Sequence, residues 1–445
     1  MELIGPNHAE YESARKIWNG AIDRRPAIVA RVENAAEIAT ILREVRAGGR
    51  GVTVRCGGHS APGHGVADGV VCIDLTRMRA VEVDPARAVA RVGGGCLWSH
   101  LDAATAAHGL ATTGGMISHT GVGGLTLGGG IGWLMRKHGL TIDNLAAAEV
   151  VLASGEQVRA SEVENADLFW ALRGGGGNFG VVTSFEFRLH PMRNVLAGMV
   201  LYPASRANAV LRFFREFTEA VPDEFTALFA FLTTPPAPFI PPHLQGTPMV
   251  AIVGCWSGDL TRGAEALRPL RHYGPPALDL IGEMPYSALQ GMLDPGAPHG
   301  LHYHMKSAYF ADLSDVAIDA IVAGATRMAS PLSQVHVHQL GGAVSRVPDD
   351  ATAYSNRGAA FALNIIPAWA DPGSSAAHIG WARELFEAVA RHGNGSAYLN
   401  FLGDEGQERV RAAFGPRKHE RLARIKRRYD PENVFRYNQN ILPAA

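Results

Sequence analysis

The sequence predicts an α+β chain of two units, and three observations carry that prediction. Short β-rich runs alternate with helix-period stretches over the first ~190 residues. Beyond His190-Pro191 the texture changes to longer amphipathic helices and strands. Glycine, at 51 of 445 residues against a usual ~7%, has no collagen period and gathers in local clusters. A chain of 445 residues is long enough for two to three domains and a large core.

The elements follow in order. From Glu33 to Arg46 the apolar residues Ala35, Ala36, Ile38, Ala39, Ile41, Leu42 and Val45 recur at helical spacing, and Gly48-Gly49 stops the helix. Val52–Arg55, Val70–Leu75, Ala80–Val83 and Ala88–Val92 read as strands between Gly, Asp and Pro signals. Leu97–Ala107 reads as a helix ended by Gly109, and Glu149–Ala153 and Val181–Phe187 as strands flanking a helix at Asp167–Leu172. In the second unit, helices are predicted at Arg206–Glu219 and Asp315–Met328, and strands at Met249–Val253, Tyr303–Phe310 and Gln334–Leu340. Thr233–Pro242 holds five prolines and reads as a surface loop. A helix over Glu408–Arg428 and the segment after it can pack back on the first unit.

Charge narrows the function. With 41 basic and 42 acidic residues and only 19% charged, the chain is expected to bind neither nucleic acid nor a membrane surface, leaving a small molecule as partner. Cys56, Cys72, Cys96 and Cys255 have no CxxC spacing, so neither a zinc ribbon nor a redox pair is indicated. No charged n-region precedes an apolar stretch at the N-terminus, and no run of 18 apolar residues occurs, so a cytoplasmic protein is expected.

Three glycine clusters invite a ligand. In Arg55-Cys56-Gly57-Gly58-His59-Ser60 a β-run breaks into two glycines, which suits either a tight turn or an anion-binding nest for a pyrophosphate. The segment Thr113–Gly130, with Gly114, Gly115, Ser118, Gly121, Val122, Gly124, Leu125 and Gly129, is too glycine-rich for ordinary turns and too apolar for a linker. It suits backbone lying along a planar or polyanionic ligand. The strand–GxGxxG–helix unit of NAD-binding proteins is absent. A third cluster, Arg173–Val182, opens into a strand at Gly177, Gly180, Val181 and Val182. Three clusters in one unit point to one extended dinucleotide, with FAD the economical candidate.

The motifs Arg55–Ser60, Gly121–Leu125 through Gly132-Trp133-Leu134, Asp167–Arg173 with the Gly174–Val182 run, Tyr398-Leu399-Asn400-Phe401, and Tyr429-Asp430-Pro431 through Asn438-Gln439-Asn440-Ile441 together resemble the berberine bridge enzyme-like FAD-linked oxidases of the vanillyl-alcohol oxidase superfamily. The resemblance covers nearly the whole chain. It implies a PCMH-type FAD-binding domain over residues 1–192, a substrate domain with an antiparallel sheet over 193–392, and a segment, 393–445, that completes the first domain. It also implies that His59 bonds covalently to the flavin 8α-methyl group, and that the residues named in the five motifs and the second cluster hold the cofactor.

The sequence departs from the family at two places. Ile117 stands where many relatives carry a second, cysteinyl link, so a single covalent bond is expected; Cys56 does not match that cysteine and reads as a small strand-end residue. Ala351 falls, by local alignment, where some relatives have a glutamate base. Candidates for the base are then Tyr437, which otherwise hydrogen-bonds the cofactor edge, and Lys306, otherwise an exposed strand lysine, with Tyr303 beside it. His302/His304 and His336/His338 each put two imidazoles on one strand face, suiting a pocket wall or a metal. Val122 matches a position where small or β-branched residues leave oxygen a path in oxidases.

The expectation is an FAD-dependent oxidase that takes a hydride from an alcohol, amine or secondary-metabolite C–H and reduces O2 to hydrogen peroxide, with no metal. A dehydrogenase or cyclase with another acceptor, and a silent flavin-binding protein, stay open, as do the substrate and a homodimer.

Overall fold

The computed structural model describes residues 1–445. Its first sheet has four strands in the order Glu2–Ile4, Ile28–Arg31, Val71–Asp74, Val52–Arg55, the last three parallel. Parallel neighbours need a crossover, supplied by the helix Ala35–Ala47, whose first turn is capped by Asn34 accepting from the Glu37 N–H at 3.1 Å. Ile38, Ile41, Leu42 and Val45 bury against Val52, Val71 and Ile73, so the strand is delivered to its turn by a packed core.

A second sheet, all antiparallel, orders Val81–Asp84, Val89–Gly93, Val181–Arg188, Leu145–Val151 and Gln157–Ser161. The strand expected at Glu149–Ala153 runs instead over Leu145–Val151, because three poor strand-formers, Ala146, Ala147 and Ala148, open it. Trp98, Phe169, Phe185 and Phe187 fill the core beneath.

The largest sheet has eight strands, and alternation gives it two faces. Phe229, Phe231, Val250, Ile252, Val335, Val337, Leu363 and Ile365 face the helices Ala207–Ala220, Asp315–Ala325 and Ser375–Ala390. Leu228, Ala230, Val253 and Ala362 face the other way, toward Trp133, Leu134, Leu140 and Ile142 of the glycine-rich segment. The strand expected over Tyr303–Phe310 is broken: His302–Tyr303 pairs with Ala368–Trp369, whereas Lys306–Phe310 joins the large sheet.

The C-terminal helix also divides, into Gln407–Phe414 and Pro416–Tyr429, at Gly415 with φ +74°. Pro416 has no N–H to continue the first helix and suits the first turn of the second. The buried Lys426 ammonium then donates to Asp430 Oδ2 at 2.6 Å and to the carbonyls of Asn178 (2.7 Å) and Phe435 (2.9 Å). Asn178 donates to the Gln439 carbonyl at 3.1 Å and accepts from the Ile441 N–H at 3.0 Å. One buried ammonium and one amide thus tie the tail to the third glycine cluster.

Candidate active site

Between the first two sheets and the free face of the third lies a cavity of about 1090 Å³. The strand Val52–Arg55 ends at its edge in the Gly57-Gly58 turn, where Gly58 takes φ +65°. Gly57 and Gly121 lie back to back, since a Cβ on either would meet the other's backbone nitrogen. The backbone N–H groups of Gly57, Gly58, His59 and Ser60 donate to no backbone carbonyl. Across from them Gly124 stands exposed, with nothing within 4 Å of where its Cβ would be. Gly177, Gly180, Val182, Tyr398, Asn400 and Asn438 border the same space. This is a glycine-walled trough edged with N–H groups that no backbone carbonyl takes up, which suits a flat ring system joined to a pyrophosphate.

Arg55 borders the trough, but its guanidinium donates to Asp74 on the adjacent strand at 2.6 Å, and so it fixes the strand pair. Burial pushes the Cys56 thiol up to about 11, and its Sγ donates to the Cys96 carbonyl, as a small strand-end residue would.

Several expected cofactor residues lie outside the cavity. Gly114 and Gly115 let Trp98 and Leu125 pack closely, and Gly129 leaves room for Tyr354. A Cβ on Gly132 would meet the Gly114 carbonyl. Ser118 spends both its N–H (2.7 Å) and hydroxyl (2.5 Å) on Asp294. Trp133 and Val181 are core residues, and Asn440 does not line the cavity. Much of the second cluster is glycine because helices and rings approach it from behind. Val122 too is fully buried in the core beneath the trough and does not line the cavity.

The opposite wall comes from the large sheet. Leu228, Ala230, Met199, Leu201 and Val253 give it an apolar surface, and His336, His338 and Asn364 stand on the same face. His336 and Asn364 are direct cross-strand partners. Burial holds His336 down to about 4 and His338 to about 3, so both are neutral. His336 Nε2 is 2.8 Å from Gln334 Oε1, whereas neither His338 nitrogen, nor Asn364 Oδ1, has a partner in the protein. Tyr398 accepts from the Gly130 N–H at 2.8 Å and from the Asn400 amide at 2.9 Å, fixing one edge of the wall. The proline-rich loop from Thr233 to Ile240 borders the cavity and exposes Phe239.

Two expected bases are displaced. Lys306 follows the helix-facing register of its strand, with Ala308 and Phe310, and its ammonium pairs with Glu405 at 2.9 Å outside the cavity. The Tyr437 ring lies against Gly51, at the far end of the strand Val52–Arg55 from the Gly57 turn. Four strand residues at ~3.3 Å each, on the order of 13 Å, separate Gly51 from the turn that carries His59. It borders the same cavity as His59, at the opposite end of that strand. Tyr303 does border the cavity, stacked on Trp18 at 3.7 Å, but its hydroxyl donates to the Pro298 carbonyl and burial raises its pKa. Ala351 lies in a turn outside the cavity, so the alignment that placed a lost carboxylate there does not locate the reacting centre. Of the two histidine pairs only His336/His338 faces the cavity; His302 packs edge-on against Trp369.

His59 sits at the junction of trough and substrate wall. Its ring stacks on Trp18 at 4.5 Å, and its Nε2 is 2.8 Å from His119 Nδ1. Burial, and then the neighbouring His119 and His299, hold its pKa well below the usual imidazole range. Sequence reasoning missed Asn364, Trp18 and His119, because only strand register and loop placement bring them to the site.

Residues 26–161 match the FAD binding domain family, and residues 397–442 match the berberine and berberine-like family. An FAD-linked oxidoreductase of Dictyostelium discoideum is 30% identical over 97% of this chain and 92% of its own. The (R)-6-hydroxynicotine oxidase of Paenarthrobacter nicotinovorans is 30% identical over 100% of this chain and 97% of its own. Among solved structures, 6-hydroxy-D-nicotine oxidase from Arthrobacter nicotinovorans superposes with a TM-score of 0.89 at 29% identity, covering 100% and 98% of the two chains. Xylooligosaccharide oxidase from Myceliophthora thermophila, at 24% identity and a TM-score of 0.88 over 100% and 97%, shares the fold.

Proposed function

This chain belongs to the berberine and berberine-like FAD-linked oxidoreductases, and on that footing we propose that it is an oxidase of uncharged, largely apolar small molecules, with FAD attached through His59. The observation that carries the substrate reading is the cavity's charge. Arg55 is its only charged lining side chain, and that charge is already paired with Asp74. A charged substrate would lose its hydration there and gain no counter-ion. An oligosaccharide would leave most hydroxyls facing Leu, Ala, Val, Met and Ile side chains. The oxidase reading is supported by the 30%-identical relative that is itself an oxidase.

FAD, when bound, supplies the hydride acceptor and passes the electrons to dioxygen. The trough made by Gly57, Gly58, Ser60, Gly121, Gly124, Leu125, Gly177, Gly180 and Val182 would hold it, with Tyr398, Asn400, Tyr437 and Asn438 along its border. His59, neutral and half-buried, offers a ring nitrogen as the point of attachment. His338 and Asn364 orient the substrate's polar group: the two unpartnered imidazole nitrogens offer one acceptor and one donor, and the Asn364 oxygen one acceptor. As the C–H electron pair leaves, the neutral His338 accepts a hydrogen bond from the substrate's hydroxyl or amine, along which its proton is released. The apolar wall keeps the remaining groups dry.

The test is anaerobic mixing of the purified chain with neutral aromatic alcohols, neutral oligosaccharides and charged amines, followed by admission of air. Bleaching of the flavin band by the neutral aromatic set, with peroxide formed in air, is the expected result. Bleaching by oligosaccharides or cations alone would overturn the substrate reading, and a reduced flavin stable in air would overturn the oxidase reading.

A further inference from the structure

His59 is one end of a chain of three imidazoles. It borders the cavity, whereas His119 and His299 lie behind it and do not. The His119 and His299 ring centres are 4.9 Å apart, and His299 is exposed to solvent. One ring nitrogen from each of the three lies within 4.8 Å of the other two. One loop organises the group: Asp294 grips Ser118, the residue before His119, through both its N–H and hydroxyl, and five residues later the same loop presents His299.

The hydrogen bond between His59 Nε2 and His119 Nδ1 fixes which nitrogen is free. The carbonyl and carboxylate of Asp294 favour a proton on His119, against the burial that disfavours its charged form. In the tautomer that carries the His119 proton on Nε2, His119 Nδ1 accepts and His59 Nε2 donates to it. The lone pair of neutral His59 is then on Nδ1, the nitrogen not engaged by His119.

We propose that His119 positions His59 for flavin attachment and, with His299, carries away the proton that attachment releases. This rests on the reading of His59 as the attachment point. The His59 Nδ1 lone pair forms a bond to the flavin 8α carbon, and one C–H bond of that methyl group breaks. The Nε2 proton of His59 passes to His119 Nδ1 and out by His299, so the substituted ring ends neutral. The two electrons left on the flavin go to dioxygen, and with the two protons released they make one hydrogen peroxide.

The experiment compares the full-length chain with its His119→Gln, His119→Ala and His299→Ala variants, each supplied with FAD in air. Attachment is followed as flavin retained by acid-precipitated protein and as a mass gain of one FAD, and total bound flavin reports the intact site. Loss of a proton acceptor predicts FAD binding near the wild-type level and attachment slowed roughly 100-fold in both His119 variants. Added imidazole should restore the rate in His119→Ala, where it can occupy the space. Attachment at the wild-type rate in His119→Gln, or slow attachment that imidazole does not rescue, would overturn the proposal. Inhibition of wild-type attachment by a chelator would also overturn it, making the three imidazoles a metal site. A wild-type chain that retains no flavin in acid would instead sink the attachment reading itself.

Discussion

Gly124 separates glycines that serve the ligand from glycines that serve packing. It lies in the helix Val122–Leu127, is exposed to the cavity, and has nothing within 4 Å of its Cβ position. Replacing it with alanine should leave the fold intact and favour the helix by ~1 kcal/mol. Gly124→Val projects further into the trough, where a bound ring system would be overpacked at a cost of about 1–3 kcal/mol. That corresponds to FAD binding weaker by roughly 5- to 150-fold. The assay is flavin fluorescence titration of Gly124→Val in a His59→Ala background, where no covalent bond hides the equilibrium, with thermal unfolding of the flavin-free chain as control. Unchanged affinity, with a valine there, would refute the assignment of this helix face to the cofactor. Gly57→Ala makes the contrast: its Cβ meets the Gly121 backbone, so its loss should appear in folding as well as binding.

Other expectations follow from buried charge and from the displaced bases. Lys426→Met leaves the fully buried Asp430 carboxylate without its counter-ion, which should cost about 3–5 kcal/mol in denaturant unfolding and loosen the C-terminal tail. Burial pushes the Asp102 carboxyl up to about 7, with Gln290 donating to it and partly opposing the shift. Its folded value lies above the ordinary one, so the folded state binds the proton more tightly; that stabilisation is complete below pH ~4 and lost as pH rises toward 7. Asp102→Asn should therefore raise the unfolding temperature at pH 8, by as much as ~4 kcal/mol of stability, and flatten its decline between pH 4 and 7. Lys306→Met and Tyr437→Phe should keep the rate of substrate-driven flavin reduction within a factor of about 3, whereas His338→Ala should lower it about 100-fold or more; stopped-flow absorbance distinguishes them.

The sequence showed most of the fold because local pattern and packing agree there. The helix Ala35–Ala47 and the strands Val52–Arg55 and Val181–Arg188 carry both the right period and the right residue types, and lie within two residues of where the pattern put them. It misled where an alanine run opened the strand Leu145–Val151, and where Gly415 ended one helix and Pro416 began the next without breaking the amphipathic period. The glycine clusters marked the site's neighbourhood but not its surface. Whether a glycine faces an open cavity, as Gly124 does, or a ring behind it, as Gly114 faces Trp98, depends on contacts far along the chain. Lys306 misled by one step of strand register, since Ser307 and Tyr309 take the opposite face from Lys306, Ala308 and Phe310. Asn364 and His119 carried no local signal at all: each joins the site through a partner distant in sequence.

The measurement that bears most directly on the account is the absorption spectrum and intact mass of the purified chain before and after acid precipitation. A yellow protein whose colour stays in the pellet, whose mass exceeds the sequence mass by one FAD, and whose His59→Ala variant releases its colour to the supernatant is the predicted result. A colourless chain of unmodified mass that takes up no FAD would contradict the trough's assignment. A wild-type chain that binds FAD but releases it all in acid would contradict attachment through His59.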